Sequence, residues 1–494
     1  MATPKNRIRR RIIGIGAILL ILLVSIFYSL FSAGTLQKRQ DLNRLSSEDY
    51  QGVFFSMYDI GAYSEEDFVT YCGISVVKSD YHLQTWRDIS KYLTEILSSS
   101  NSITNIYLGL DPMSLWESSN KDKEIWANNL ERYLFPYFTA RQDVEYEILL
   151  PIPSLQYWTK LDAAQLTERM EAYRELVEAM SSYSNVTTYF PGNEEWLIAN
   201  PANYLENGQV NKDVSQKLFL YTFCDHHFQI SLENVSETLE GLTSLIEQER
   251  QMPYTYPDLS NLCMVFFGDS VLVYNKGSMS LPGVIGGLSG AQVYNCGLGG
   301  MPASGNPAEF YNMNGMVNHF INQDIDGLAE NDYLRGLMAY MDGDHQAKRH
   351  CFVLNFGLND YFSGHPVENP EDNYDTGTYA GALRTGICAL RENYPDALIL
   401  VMTPTYTTLF SNGTEINSEV GSVLTEYVDA AVRVSEEMGV YCKNNYWDSG
   451  INAESQELYL ADGAHPNEGG SLYLGRQIVE YIGSLASEEK TMQP

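Results

Sequence analysis

Met264-Val265-Phe266-Phe267-Gly268-Asp269-Ser270 is an apolar run that stops abruptly at a glycine, an acid and a serine. A run of this kind reads as a buried parallel strand, and Gly-Asp-Ser as a sharp turn into a helix opened by Ser270. The glycine is expected to allow that turn. At such a place the serine N–H points outward and the helix end favours developing negative charge. Far along the chain, Asp462-Gly463-Ala464-His465-Pro466 precedes another helical pattern. A hydroxyl, an imidazole and a carboxylate supply the nucleophile, base and orienter of acyl-transfer chemistry.

Outward from this strand, apolar runs at Leu262–Phe267, Gln292–Asn295, His350–Phe356 and Ala397–Thr403 predict the sheet of one domain. Amphipathic helical stretches lie between and after them, near Gly377–Tyr394, Ser418–Gly439 and Gly470–Ser484. The first half repeats the rhythm, with strands near Gly52–Met57, Ile103–Leu108, Tyr146–Leu150 and Val186–Tyr189 and helices near Leu83–Ser98 and Ala163–Ser182. This alternation predicts two three-layer α/β domains with parallel sheets. The Pro-bearing stretch Gln251–Asp258 marks a break. It gives a first domain over 49–250, a linker over 251–260 and a second domain over 261–488.

The two halves overlay as a degenerate repeat. Val53–Tyr58 falls on Val265–Ser270, Leu108–Asp111 on Phe356–Asn359, and Glu206–Val210 on Ala461–His465. Tyr58 then replaces Ser270, Asp111 replaces Asn359, Asn207 replaces Asp462 and Val210 replaces His465. No general base remains, so the first copy is expected to be inert in acyl transfer.

Two further segments of the second half carry candidate groups. In Asn295-Cys296-Gly297-Leu298-Gly299-Gly300, a glycine-rich loop after a short strand lets backbone N–H groups approach a ligand. In Asn355-Phe356-Gly357-Leu358-Asn359-Asp360, an Asn lies at the carboxyl end of a strand, where parallel α/β sheets place their ligands. Its amide can donate to an oxyanion without titrating. Taken singly, each segment also fits an ordinary turn.

In this order, however, the four segments resemble the SGNH (GDSL-type) hydrolase family over roughly residues 261–486. The resemblance implies a flavodoxin-like SGNH fold, Ser270 as nucleophile and Asp462 with His465 as the rest of a triad. It also implies Ser270, Gly300 and Asn359 as oxyanion-hole residues, and no cofactor or metal. Val271 stands where the family often has Leu, a difference of packing. The expected activity is that of a serine esterase on O-acyl, chiefly O-acetyl, esters of a surface or cell-wall glycan. Tethered domains of this family also serve alginate acetylation and teichoic-acid D-alanylation beside a membrane-bound O-acyltransferase. An O-acyltransferase with such a partner is therefore the alternative, and a non-catalytic glycan-binding scaffold the third reading.

The chain opens with Lys5, Arg7, Arg9, Arg10 and Arg11, followed by an uncharged apolar run over 12–31. That length spans a bilayer as a helix, and the basic flank orients it with residues 1–11 in the cytoplasm. The expectation is a single-pass anchor, a polar tether over 32–48 and an extracellular catalytic domain; a cleaved signal peptide is the other reading. Without the five N-terminal basic residues, 26 Lys+Arg face 63 Asp+Glu, a net charge of about −37. Such a field disfavours nucleic acid as a ligand, whereas a neutral glycan meets no electrostatic penalty. The seven cysteines are dispersed and form no Cys-x-x-Cys pair, which speaks against a zinc site and a disulfide framework.

Overall fold

Strand order is the same in both halves of the chain. The computed structural model describes residues 37–492 except 48, 62, 412 and 413. It divides into two compact units: one formed by residues up to Glu194 with Ser215–Arg250, the other by Glu195–Val214 with the residues from Gln251 on. In the first unit, β1 (Gly52–Ser56), β2 (Val76–His82), β3 (Asn105–Gly109), β4 (Glu145–Leu149), β5 (Val186–Tyr189) and β6 (Gln229–Ile230) form a sheet ordered β2-β1-β3-β4-β5-β6. All its pairs are parallel except β5 with β6. In the second, β7 (Leu262–Gly268), β8 (Gln292–Gly297), β9 (Arg349–Asn355), β10 (Leu398–Met402) and β11 (Tyr441–Lys443) form a wholly parallel sheet ordered β11-β10-β9-β7-β8. Counted from its own first strand, the parallel part of each sheet runs 2-1-3-4-5, the flavodoxin-like order.

Hydrophobic burial explains why the quoted stretch becomes a central strand. All seven residues of β7 are buried, as a strand covered on both faces requires. Helices Leu281–Ser289 and Glu468–Met492 pack on each other, and Met313–Asn322, Tyr379–Asn393 and Leu424–Met438 form a second row. Most of the expected strands and helices lie within a few residues of these elements. The first unit has an aromatic core: the Phe68 ring meets Tyr107, Phe219 and Phe223 at centroid distances of 4.5, 4.8 and 5.2 Å. Many of the tyrosines are core residues, Tyr92, Tyr107, Tyr146 and Tyr173 among them.

Three expectations need correction. Residues 37–47 of the supposed tether are helical; Leu45 is buried there, and the buried Asp41 carboxylate accepts from Ser79 Oγ at 2.6 Å. The segment 195–214, read as part of the first domain, groups with the second unit. Its buried Asn200 donates to Ser278 O at 2.9 Å, and Asn203 accepts from Ser278 Oγ at 2.8 Å. Asn207 and Val210 thus belong to the second unit and not to the first. The overlay also slips by two residues at Asp111, which caps the helix after β3 as Gly357 caps the helix after β9. Asn359 lies inside the first turn of that later helix. The basic tail and anchor read over 1–31 lie outside the described residues. Among the described residues, no helix is long and apolar enough to cross a membrane.

Candidate active site

The turn after β7 is built by close approach. A Cβ on Gly268 would lie 2.5 Å from Asn355 O and 2.7 Å from Leu272 Cδ1, so β7 can pass β9 this closely only without a side chain. Its glycine is thus required by packing between strands, whereas the sequence suggested a turn requirement. Asp269 caps the helix Ser270–Val273, its Oδ1 accepting from Val271 N at 3.0 Å. Ser270 becomes the first helical residue, where an N–H has no intrahelical acceptor. Burial lifts the Asp269 carboxyl to about 7, despite the Val271 N–H that favours its charged form.

The chain returns to Ser270 through a tight loop. Leu460 and Pro466 form an antiparallel bridge, and Ala461 N donates to His465 O at 2.8 Å. Inside it, Asp462 Oδ1 accepts from the N–H groups of Ala464 (3.1 Å) and His465 (2.9 Å). The other oxygen, Oδ2, lies 2.7 Å from His465 Nδ1, and His465 Nε2 lies 2.7 Å from Ser270 Oγ. With the Nδ1–H donated to the carboxylate, Nε2 is left as acceptor for the serine O–H. Burial works to raise Asp462, but the His465 N–H and imidazole outweigh it and hold the carboxylate below its ordinary range. The segment after β10 braces the loop: Thr407 Oγ1 and Thr408 N both donate to Gly463 O, at 2.8 and 2.9 Å.

Gly300 and Asn359 belong to one bonded network. The glycine turn after β8 passes beside Ser270, a Cβ on Gly299 falling 3.9 Å from that of the serine. Gly300 has φ +78° and open space around its Cα, a conformation that favours glycine. Asn359 Nδ2 donates to Met301 O at 3.3 Å, and its side chain also bonds the Asp269 carboxyl. Its neighbour Asp360 is fully buried and accepts from Ala303 N at 2.8 Å and Ser304 N at 2.9 Å. Burial raises the Asp360 carboxyl, against the pull of those donors.

All five candidates thus gather at the carboxyl ends of β7, β8 and β9 and the loop before the last helix. Ser270, His465 and Asp462 are in direct contact, while Gly300 and Asn359 are joined through Met301 and Asp360. Sequence reasoning assigned no role to Asp360 or Ser304, although the acid directly follows Asn359. Ser304 Oγ also contacts Asp360 Oδ1 at 2.5 Å and His365 Nδ1 at 2.6 Å. That second Ser/His/Asp set has its serine between acid and imidazole, and Ser304 is 1% exposed, so it braces a loop and offers no nucleophile. Among the described residues, no group of three or more His, Cys, Asp or Glu is placed to hold a metal ion.

Residues 264–478 match the family described as GDSL-like lipase/acylhydrolase. Solved structures similar to this chain include a protein from Lactobacillus plantarum, 18% identical, covering 47% of this chain and 98% of its own, with TM-score 0.35. A carbohydrate acetylesterase from Sinorhizobium meliloti is 16% identical over 45% of this chain and 99% of its own, with TM-score 0.29. A member of the lipolytic G-D-S-L family from Veillonella parvula is 15% identical over 46% and 97%, with TM-score 0.29. No curated protein matches the chain. The second unit accordingly carries a GDSL-like lipase/acylhydrolase domain of the SGNH type.

Proposed function

We propose that the chain is an extracytoplasmic serine esterase that removes O-acyl groups, chiefly O-acetyl, from a surface or cell-wall glycan through an acyl-enzyme. The observation that carries this reading is the unbroken contact from Ser270 Oγ to His465 Nε2 and from His465 Nδ1 to Asp462, each 2.7 Å. Ser270 Oγ attacks the ester carbonyl while His465 takes its proton, and Asp462 steadies the imidazolium. The N–H groups of Ser270 and Gly300 and the Asn359 amide are the proposed oxyanion donors, each worth about 3 kcal/mol in the transition state. His465 then returns the proton to the leaving alcohol, and water, activated by the same imidazole, releases the acid.

The glycan part of the proposal rests on surface chemistry. Tyr311 and Trp447 are 68% and 61% exposed, and both lie on segments that follow the carboxyl ends of strands β8 and β11. Aromatic faces of this kind suit sugar rings, and the acidic chain suits a neutral polymer. A sugar hydroxyl can replace water as acceptor, in which case the chain is an O-acyltransferase served by a membrane-bound partner. The test is turnover of p-nitrophenyl acetate, longer acyl esters and acetylated polysaccharides by the full chain, with and without an oligosaccharide acceptor. Preference for acetylated polysaccharide supports the proposal; turnover restricted to long-chain esters contradicts the glycan assignment, and faster transfer than hydrolysis contradicts the esterase.

A further inference from the structure

The proposed base is clasped by two residues that follow the nucleophile. Tyr274 closes the helix begun by Ser270, its N–H donating to Ser270 O at 2.8 Å. One turn on, its side chain leaves the helix on the same side as the serine hydroxyl. The Tyr274 ring lies flat on the His465 imidazole, with centroids 4.7 Å apart and planes 4° from parallel. The next residue, Asn275, is buried, and its amide donates to Pro466 O and to Ser471 Oγ, both at 3.0 Å. Pro466 directly follows His465, and Ser471 lies in the helix that comes after it. A stretch from Ser270 to Asn275 therefore touches the imidazole at its Nε2, along its face and through the backbone behind it.

We infer that Tyr274 and Asn275 are positioning residues for His465, an inference that rests on reading Ser270, His465 and Asp462 as the catalytic group. Both bonds of the imidazole, to Asp462 and to Ser270, lie in the ring plane. They leave the ring free to tip about the line joining its two nitrogens, and a flat neighbour opposes that motion. Burial does only part of this work, since the His465 side chain keeps 19% and that of Asp462 42% of its exposure. When the serine proton moves, the imidazolium also gains the attraction of the tyrosine π-face. Asn275 sets the other end: by holding Pro466 and Ser471 it fixes where the loop delivers the ring.

The test compares Tyr274→Leu, Tyr274→Phe and Asn275→Ala with the wild-type full chain on p-nitrophenyl acetate, with Ser270→Ala alongside. Tyr274→Leu keeps an apolar cover but no ring, and is expected to lower kcat about ten-fold with KM nearly unchanged. Tyr274→Phe is expected to recover most of that loss, because the ring face acts and the hydroxyl does not. Labelling of Ser270 by a fluorophosphonate, which reads activation of the serine, is expected to slow in Tyr274→Leu and Asn275→Ala and to recover in Tyr274→Phe. Unchanged kcat and labelling in Tyr274→Leu would overturn the inference. So would a raised KM at constant kcat, which would make Tyr274 a substrate platform. Retained activity in Ser270→Ala would instead remove the catalytic reading beneath it, so the two failures are distinguishable.

Discussion

The two units share a strand order and differ in what stands at the strand ends. Two residues beyond β7 the second unit places Ser270, open to an imidazole; two residues beyond β1 the first unit places Tyr58, whose hydroxyl donates to Leu149 O at 2.9 Å. Tyr58 is partly buried, and burial raises its phenol well above the ordinary range, so it is held neutral as a packing group. After β3 stands Asp111, spent on capping its helix through Met113 N and on binding Ser114 Oγ. After β9 stands Asn359, bonded to Met301 O in the glycine loop that flanks Ser270. A flavodoxin-like sheet provides a place for chemistry at its carboxyl edge. The side chains there decide whether the place is a site or a plug.

That contrast can be broken most severely at the proposed nucleophile and base of the second unit. Ser270→Ala and His465→Ala are each expected to lower kcat on a small ester by about 10⁴-fold or more, since members of such a set act as one device. Wild-type-like turnover in either would end the account. Asn359→Ala is expected to cost about 10²- to 10³-fold in kcat with little change in KM, as an oxyanion donor should. A rise in KM alone would assign Asn359 to substrate binding.

A third prediction uses acids buried in both units. Burial lifts Glu147 of β4 from 4.5 to about 7, as it lifts Asp269, and Glu147 Oε2 has no hydrogen-bond partner. In the window from ordinary carboxylate values to about 7, the folded chain keeps a proton that the unfolded chain has lost. Their contribution to stability is therefore complete below that window and lost as pH rises through it. Glu147→Gln is expected to raise the unfolding midpoint more at about pH 7 than at about pH 5. An equal change at both would show the carboxyl already ionised. The smallest effect is expected for Tyr58→Phe: small-ester turnover unchanged, and stability lower by about 1 kcal/mol for the lost hydrogen bond. A collapse of turnover would mean that the first unit takes part in the chemistry.

Much of this was legible before any coordinates. The apolar strands with their abrupt polar ends announced themselves because burial on both faces leaves few choices of residue, as in Leu262–Gly268. Ser270, Asp462 and His465 were readable because their types and order are chemically restrictive. What stayed hidden was set by contacts distant in sequence. The need for Gly268 comes from the Asn355 carbonyl, the place of Asn200 and Asn203 from Ser278, and the role of Asp360 from the Ala303 and Ser304 N–H groups. Tyr274 likewise reads as an ordinary surface aromatic until His465 is folded over it. Residues 37–47 misled because their polar composition concealed a helix fastened by Asp41 and Leu45.

The central claim is that the hydroxyl of Ser270 carries the acyl group, and trapping that intermediate tests it most directly. The full chain is quenched in acid during turnover of p-nitrophenyl acetate, digested, and its peptides are weighed by mass spectrometry. The account predicts one acetyl group on Ser270, none on Tyr58, and none anywhere in Ser270→Ala. Sustained release of p-nitrophenol with Ser270 unmodified, or an acetyl group that persists in Ser270→Ala, would contradict it.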